Sequence, residues 1–87
     1  MNMEEGAIVV YPNPAHAQIS VALKETGSSY QSWQITDVSG RVVLSAKIAA
    51  GIHSDLIRVD ISTLAPGMYV IRAISETGSN AAKFTVQ

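Results

Sequence analysis

The sequence predicts an all-β domain, a seven-stranded immunoglobulin-like β-sandwich with Greek-key connections. Three observations point there. Apolar residues alternate with polar ones along short runs instead of recurring at helical spacing. Turn-forming clusters of Gly, Pro, Asn, Asp and Ser interrupt those runs about every ten residues. The 87 residues suffice for one domain with one modest core, and not for a core plus a deep, walled cleft. A closed barrel is the other architecture such strands permit.

The first strand is Ile8 to Tyr11. It ends at Pro12-Asn13-Pro14, where the prolines remove backbone donors and fix φ, so the chain is expected to leave its sheet there. The second strand, Gln18 to Lys24, turns Ile19, Val21 and Leu23 inward, and a loop at Thr26-Gly27-Ser28-Ser29 follows. The third, Gln31 to Asp37, points Trp33 and Ile35 inward.

A hairpin closes at Asp37-Val38-Ser39-Gly40. An Asp at the first turn position can accept from backbone amides two residues on, and a Gly suits the left-handed position of such a loop. The fourth strand, Arg41 to Ile48, directs Val42, Leu44, Ala46 and Ile48 inward and leaves Val43 as an exposed apolar residue.

After a connection turning at Gly51, the fifth strand runs from Leu56 to Ile61, with Ile57, Val59 and Ile61 inward. Ser62 to Gly67 forms a compact loop in which Leu64 plugs one end of the core. The sixth strand, Met68 to Ser75, is apolar on both faces, as a central strand would be, and sends Tyr69, Ile71 and Ala73 to the core. A turn at Thr77 to Asn80 leads to the seventh strand, Ala81 to Val86, with Ala82, Phe84 and Val86 inward.

Composition narrows the function. The chain is 47% hydrophobic and only 15% charged, so Ser, Thr, Gln, Asn and Ala must cover much of its surface. A net charge of -1 with scattered Lys and Arg excludes the basic field that holds nucleic acid, and a polybasic membrane patch. Without cysteine there is no disulfide, thiolate metal site or Cys nucleophile. Met1 to Glu5 is acidic, and the apolar run from Ala7 to Val10 is far shorter than a signal peptide or membrane span requires. Residues 1–7 are therefore expected to be a flexible tail, in part vector-derived, and residues 8–87 the domain. If the protein is exported, either this chain is a fragment or its export signal lies elsewhere, and a fragment is the favoured reading.

No catalytic constellation assembles. His16 and His53 fall in loops without partners at metal-ligand spacing, and read as solvated histidines. Among the carboxylates, Asp37 has a turn role, Asp60 ends a strand and Glu4 and Glu5 lie in the tail, so no acid–base pair stands out. No G-x-S-x-G elbow or phosphate-cradling glycine loop is present. The reading is of a domain that is not an enzyme and takes no metal or cofactor. Trp33 could stack on a sugar, but its alternation with Ile35 favours a core position. Tyr11, Tyr30 and Tyr69 are more easily packing residues with a polar tip.

Four segments, in order and spacing, resemble one family. Val10-Tyr11-Pro12-Asn13-Pro14-Ala15 resembles the Y-P-N-P-A opening of type IX secretion C-terminal sorting domains (type A). Asp37-Val38-Ser39-Gly40-Arg41-Val42-Val43 is similar to their D-x-x-G-R-x-V hairpin. Asp60-Ile61-Ser62-Thr63-Leu64-Ala65-Pro66-Gly67-Met68-Tyr69 resembles their D-h-S-x-L-x-x-G-x-Y segment, h being apolar, and Lys83-Phe84-Thr85-Val86 their closing K-F-x-V strand. Most of these residues have architectural explanations, with Tyr11, Pro12, Asn13, Pro14, Asp37, Gly40, Asp60, Leu64, Gly67 and Tyr69 as fold determinants. No turn geometry demands an arginine at Arg41, which is either an exposed strand-edge charge or a recognition residue.

The resemblance implies a secretion signal. Such domains sit behind an N-terminal cargo domain that enters the periplasm by a separate signal. The outer-membrane translocon and its shuttle protein recognise them, and a sortase-like peptidase removes them, leaving cargo at the cell surface or outside the cell. It also implies that the last strand, Ala81, Ala82, Lys83, Phe84, Thr85, Val86 and Gln87, matters for recognition; many relatives end in a basic residue where this chain has Gln87. A terminal strand at a sheet edge would offer unpaired N–H and C=O groups to a partner, and leaves room for weak self-association. An immunoglobulin-like adhesion or spacer module, or a carbohydrate-binding module, would use the same fold.

Overall fold

The computed structural model describes residues 8–23, 30–48, 56–75 and 78–87. The expectations for the tail, Lys24, the loop at Thr26, the turn at Gly51, His53 and Thr77 fall outside these residues. The described residues form strands β1 (Ile8–Tyr11), β2 (Gln18–Leu23), β3 (Tyr30–Thr36), β4 (Val42–Lys47), β5 (Leu56–Asp60), β6 (Gly67–Ser75) and β7 (Gly78–Val86). They make a three-stranded sheet in the order β1-β2-β5 and a four-stranded sheet in the order β4-β3-β6-β7, every pairing antiparallel. The chain changes sheet between β2 and β3, between β4 and β5, and again between β5 and β6. This is the immunoglobulin-like Greek key with its fourth strand in the larger sheet.

Period-two alternation builds the core. Ile19 and Val21 from the smaller sheet meet Ile35, Ile71 and Phe84 from the larger, all at most 1% exposed, and Ile61 joins them from just beyond β5. Tyr69 and Ala73 point inward as the sequence predicts, and β6 is central between β3 and β7. Leu64 packs against one end of the core. Trp33 is half-buried against it, opposite Ala46 and Ala73, so its ring is no exposed stacking platform.

The structure corrects several details. In β4 the roles of the two valines reverse: Val43 packs on the core and Val42 is 48% exposed. The cause is a bulge, because Ile35 pairs with Leu44 whereas Thr36 pairs with Val42, leaving Val43 as the extra residue that shifts the alternation. Ala46, expected inside, is exposed, since the three-stranded sheet is narrower than the four-stranded one and leaves outermost β4 less covered. Tyr11 is 47% exposed and is not a packing residue. β3 begins one residue earlier, at buried Tyr30, whose hydroxyl meets the Asn80 amide at 2.7 Å. β7 begins at Gly78, paired with Ser75, so Gly78 to Asn80, expected in a turn, are strand.

The largest correction concerns the prolines. They do not switch the chain from one sheet to the other: β1 and β2 pair with each other in the same sheet. Between them the chain makes one isolated parallel bridge to the opposite sheet, from Ala15 to Val86. Pro12 and Pro14, each preceded by a cis peptide bond, have no N–H to give. Ala15 is the first residue beyond them that donates, and it donates to Thr85.

Candidate functional site

The sequence motifs converge on two places, a pair of Asp-headed turns and the outer edge of β7. At the β3–β4 hairpin, Asp37 Oδ1 accepts from the Ser39 amide at 2.9 Å, the Ser39 hydroxyl at 2.6 Å and the Arg41 amide at 3.1 Å. Gly40 follows at φ +88°, a conformation other L-residues reach only with strain. Asp60 repeats the device at the end of β5, accepting from the Ser62 amide at 2.9 Å. The Ser39 hydroxyl above all, with the Arg41 and Ser39 amides and the Arg41 charge, holds the Asp37 carboxyl below its ordinary 3.8, against a smaller opposing effect of desolvation. The Ser62 hydroxyl and then its amide do the same for Asp60. Both carboxylates are committed to turns and kept ionised, which suits neither to general acid–base work.

Beyond Asp60 the loop closes through Tyr69, whose hydroxyl donates to the Ala65 carbonyl at 2.6 Å while its ring stacks on Phe84 at 5.8 Å between centroids. Gly67 lets the chain enter β6 at φ +154°, and a Cβ there would meet the Tyr69 ring. The G-x-Y pair is thus a corner in which the glycine takes the positive φ and the tyrosine ties the strand back to the loop.

At β7 the residues from the N-terminal motif reappear. Ala15, fully buried, donates its N–H to Thr85 O at 2.7 Å and accepts from the Gln87 amide at 2.9 Å. Asn13 Oδ1 accepts the Thr85 amide at 3.0 Å. Residues 13–15 therefore form a strap along the last residues of the chain. Sequence reasoning assigned Asn13 a fold role without its partner. The missed signal was that an Asn between two donor-less prolines carries a side-chain acceptor able to reach the N–H of a neighbouring strand.

The strap also reveals how the remaining edge is oriented. Both Thr85 backbone groups point away from β6, and the pairing of β7 with β6 runs without a register shift from Gly67↔Val86 to Ser75↔Gly78. By the two-residue period, the N–H and C=O of Lys83, Ala81 and Ser79 point away from β6 as well. Among the described residues none of these groups has a backbone partner outside its sheet. The expected terminal edge is thus present but divided, open from Ser79 to Lys83 and closed from Thr85 to Gln87.

The predicted recognition residues fall into three groups. Ala82, Phe84 and Val86 face the core, with Phe84 1% and Val86 3% exposed. Ala81, Lys83 and Thr85 face outward, with Lys83 exposed. Arg41 lies apart at the hairpin, its side chain 79% exposed and its Nε 3.6 Å from Asp37 Oδ2. A recess of about 290 Å³ lies between hairpin and edge, lined by Asp37, Val38, Gly40, Met68, Tyr69, Val70 and Lys83. Loop residue His16 is exposed, and no cluster of His, Cys, Asp or Glu able to hold a metal occurs among the described residues.

Fold and site together define an immunoglobulin-like β-sandwich whose motif residues build turns, a corner and a guarded strand edge. A family model for the secretion system C-terminal sorting domain matches residues 9–87. The chain belongs to that family, the type IX sorting domains its motifs resemble, and so is a domain for export to the cell surface or beyond, attached to a cargo and handled by the type IX machinery.

Solved structures agree on the fold. A DUF3244 family protein from Bacteroides vulgatus with an immunoglobulin-like β-sandwich fold aligns with TM-score 0.72 at 17% identity, covering 99% of this chain and 90% of that one. The BSP domain of a biofilm associated protein aligns with TM-score 0.66 at 20% identity, over 93% of this chain and 14% of that one. CopC from Methylosinus trichosporium aligns with TM-score 0.55 at 21% identity, over 92% and 93%. A search of curated proteins finds no significant match.

Proposed function

We propose that the domain is a non-catalytic sorting signal read by strand addition at the open part of the β7 edge. On this reading it crosses the periplasm as part of its parent protein, the shuttle protein and outer-membrane translocon engage Ser79 to Lys83, and a sortase-like peptidase then separates it from the cargo. The supporting observation is the divided edge. Of the four outermost strands, β1 and β5 are short and β4 carries a bulge and Lys47. Bulges, charges and shortness are the usual protections against unwanted pairing. β7 is nine residues long and regular. It carries one charge, Lys83, but among the described residues its backbone edge is closed only at the C-terminal end, so its middle is the natural template for a partner strand. Arg41 is a second contact, exposed beside the same end of the sheet.

The test replaces Ala81 by proline. The Ala81 N–H points to the open side, so proline removes an edge donor while leaving the β6–β7 ladder intact. Ala81→Pro fused behind a periplasmic reporter should fold yet fail to bring the reporter to the surface. Ala82→Pro, which breaks the ladder, should unfold. Normal surface delivery by a folded Ala81→Pro fusion would refute strand addition here.

A further inference from the structure

The outer face of the four-stranded sheet carries a charge pattern that the fold does not need. Cross-strand pairs share a face, so register places Val42, Thr36, Val70 and Lys83 in one outward row, Ser45, Gln34, Arg72 and Ala81 in the next, and Lys47, Ser32, Ile74 and Ser79 in a third. Lys47, Arg72 and Lys83 are all exposed, and none makes an ion pair among the described residues. Arg41 adds a further cation at the rim, and Asp37 is the one carboxylate described there, already committed to its turn. Four of the six Lys and Arg of a chain of net charge -1 thus lie on this face or at its rim.

Two of these cations address the open edge. Lys83 is on β7 itself, and Arg72 sits one strand back behind Ala81, whose methyl leaves room for a long side chain to reach outward. Along β7 the two rows are two residues apart, the repeat of side chains on one face of a neighbouring strand. Next to Lys83 lies the recess, where Met68 is 52% and Val38 85% exposed. An exposed apolar recess with the unpaired Lys83 in its lining, and Arg72 in the next row of the same face, marks an interaction site.

We infer that this face binds an extended acidic segment of a protein partner, with carboxylates at alternate positions beside Lys83 and Arg72 and an apolar side chain in the Val38–Met68–Val70 recess. The inference rests on the edge reading above and specifies the chemistry of what docks there. Because the strap closes the edge at Thr85, the segment has to leave the edge at Lys83, where the recess begins.

The test uses the full chain and three blocked decapeptides. Each has a central Leu and carries Glu, Gln or Lys at the same three alternating positions. Binding is followed by amide chemical shifts and fluorescence anisotropy at low and high salt. The Glu peptide should bind at least about tenfold more tightly than the Lys peptide, weaken with salt, and shift the Val38, Val70 and Lys83 amides. Arg72→Glu/Lys83→Glu, with thermal melting confirming the fold, should reverse the preference. Equal affinity for the Glu and Lys peptides, no binding by any peptide, or an unchanged preference in the variant would overturn the inference. Reporter delivery separates the two levels: delivery unaffected by Arg72→Glu/Lys83→Glu sinks the acidic segment alone, whereas failure of the unaltered domain to direct a reporter sinks the sorting role.

Discussion

Replacing Asn13 by alanine removes one acceptor from the strap and nothing else. The lost bond is Thr85 N–H to Asn13 Oδ1, 3.0 Å long. A net intramolecular hydrogen bond contributes roughly 0.5–1.5 kcal/mol, and a buried orphan would cost more. Asn13 is exposed at the sheet edge, so water can replace it at the Thr85 amide, and the cost falls in the lower half of that range, about 0.5–1 kcal/mol. For a domain of this size the melting temperature should drop by roughly 2–8 °C. Hydrogen exchange gives the sharper reading. The Thr85 amide should exchange faster, while the Gln87 amide, which donates to Ala15 O, keeps its protection. Asn13→Asp, which preserves an acceptor, should protect Thr85 better than Asn13→Ala. Unchanged Thr85 exchange in Asn13→Ala would refute the reasoning, as would equal loss of protection at Thr85 and Gln87.

Phe84→Ala empties the largest fully buried side-chain position and should cost about 3–5 kcal/mol, enough to leave a domain of this size marginal in urea titration. Gly40→Ala should cost about 1 kcal/mol from its positive φ alone, because a Cβ there meets nothing within 4 Å; Gly40→Asn, which tolerates that region better, should melt measurably higher than Gly40→Ala. The depressed Asp37 and Asp60 carboxyls fix the sign of the acid response. Their stabilisation is fully present above the unfolded-state value near 3.8 and is lost as pH falls through the lower folded values. Thermal melts should therefore fall away below about pH 4, and Asp37→Asn/Asp60→Asn should melt lower at neutral pH with a shallower acid limb.

Much of this fold is legible in the alternation itself. The inward faces of β2 and β7 follow from a strict two-residue period in which one slip would expose every core residue, that of β6, apolar on both faces, from Arg72 marking the outward one, and the Asp37 and Gly40 roles from local turn chemistry. The errors sit where local rules meet long-range ones. The bulge that exchanges Val42 and Val43 is a property of the β3–β4 pair, since an insertion in a ladder becomes visible only when the partner strand is known. Ala46 misleads because exposure depends on the width of the opposite sheet. The strap joins Asn13 to Thr85, 72 residues apart, and no pattern in either segment names the other. The candidate surface was half legible: Lys83 and the terminal strand were visible in the sequence, whereas the closure of the edge beyond Lys83 and the alignment of Arg72 behind it required the register.

The central claim is that this folded sandwich is by itself sufficient to direct export. The full 87-residue chain, fused to the C-terminus of a reporter with its own periplasmic signal, should bring that reporter to the surface of a type IX-competent bacterium, and the reporter should stay periplasmic in a strain lacking the translocon. Surface delivery that persists without the translocon, or a folded fusion that remains periplasmic in the competent strain, would contradict it.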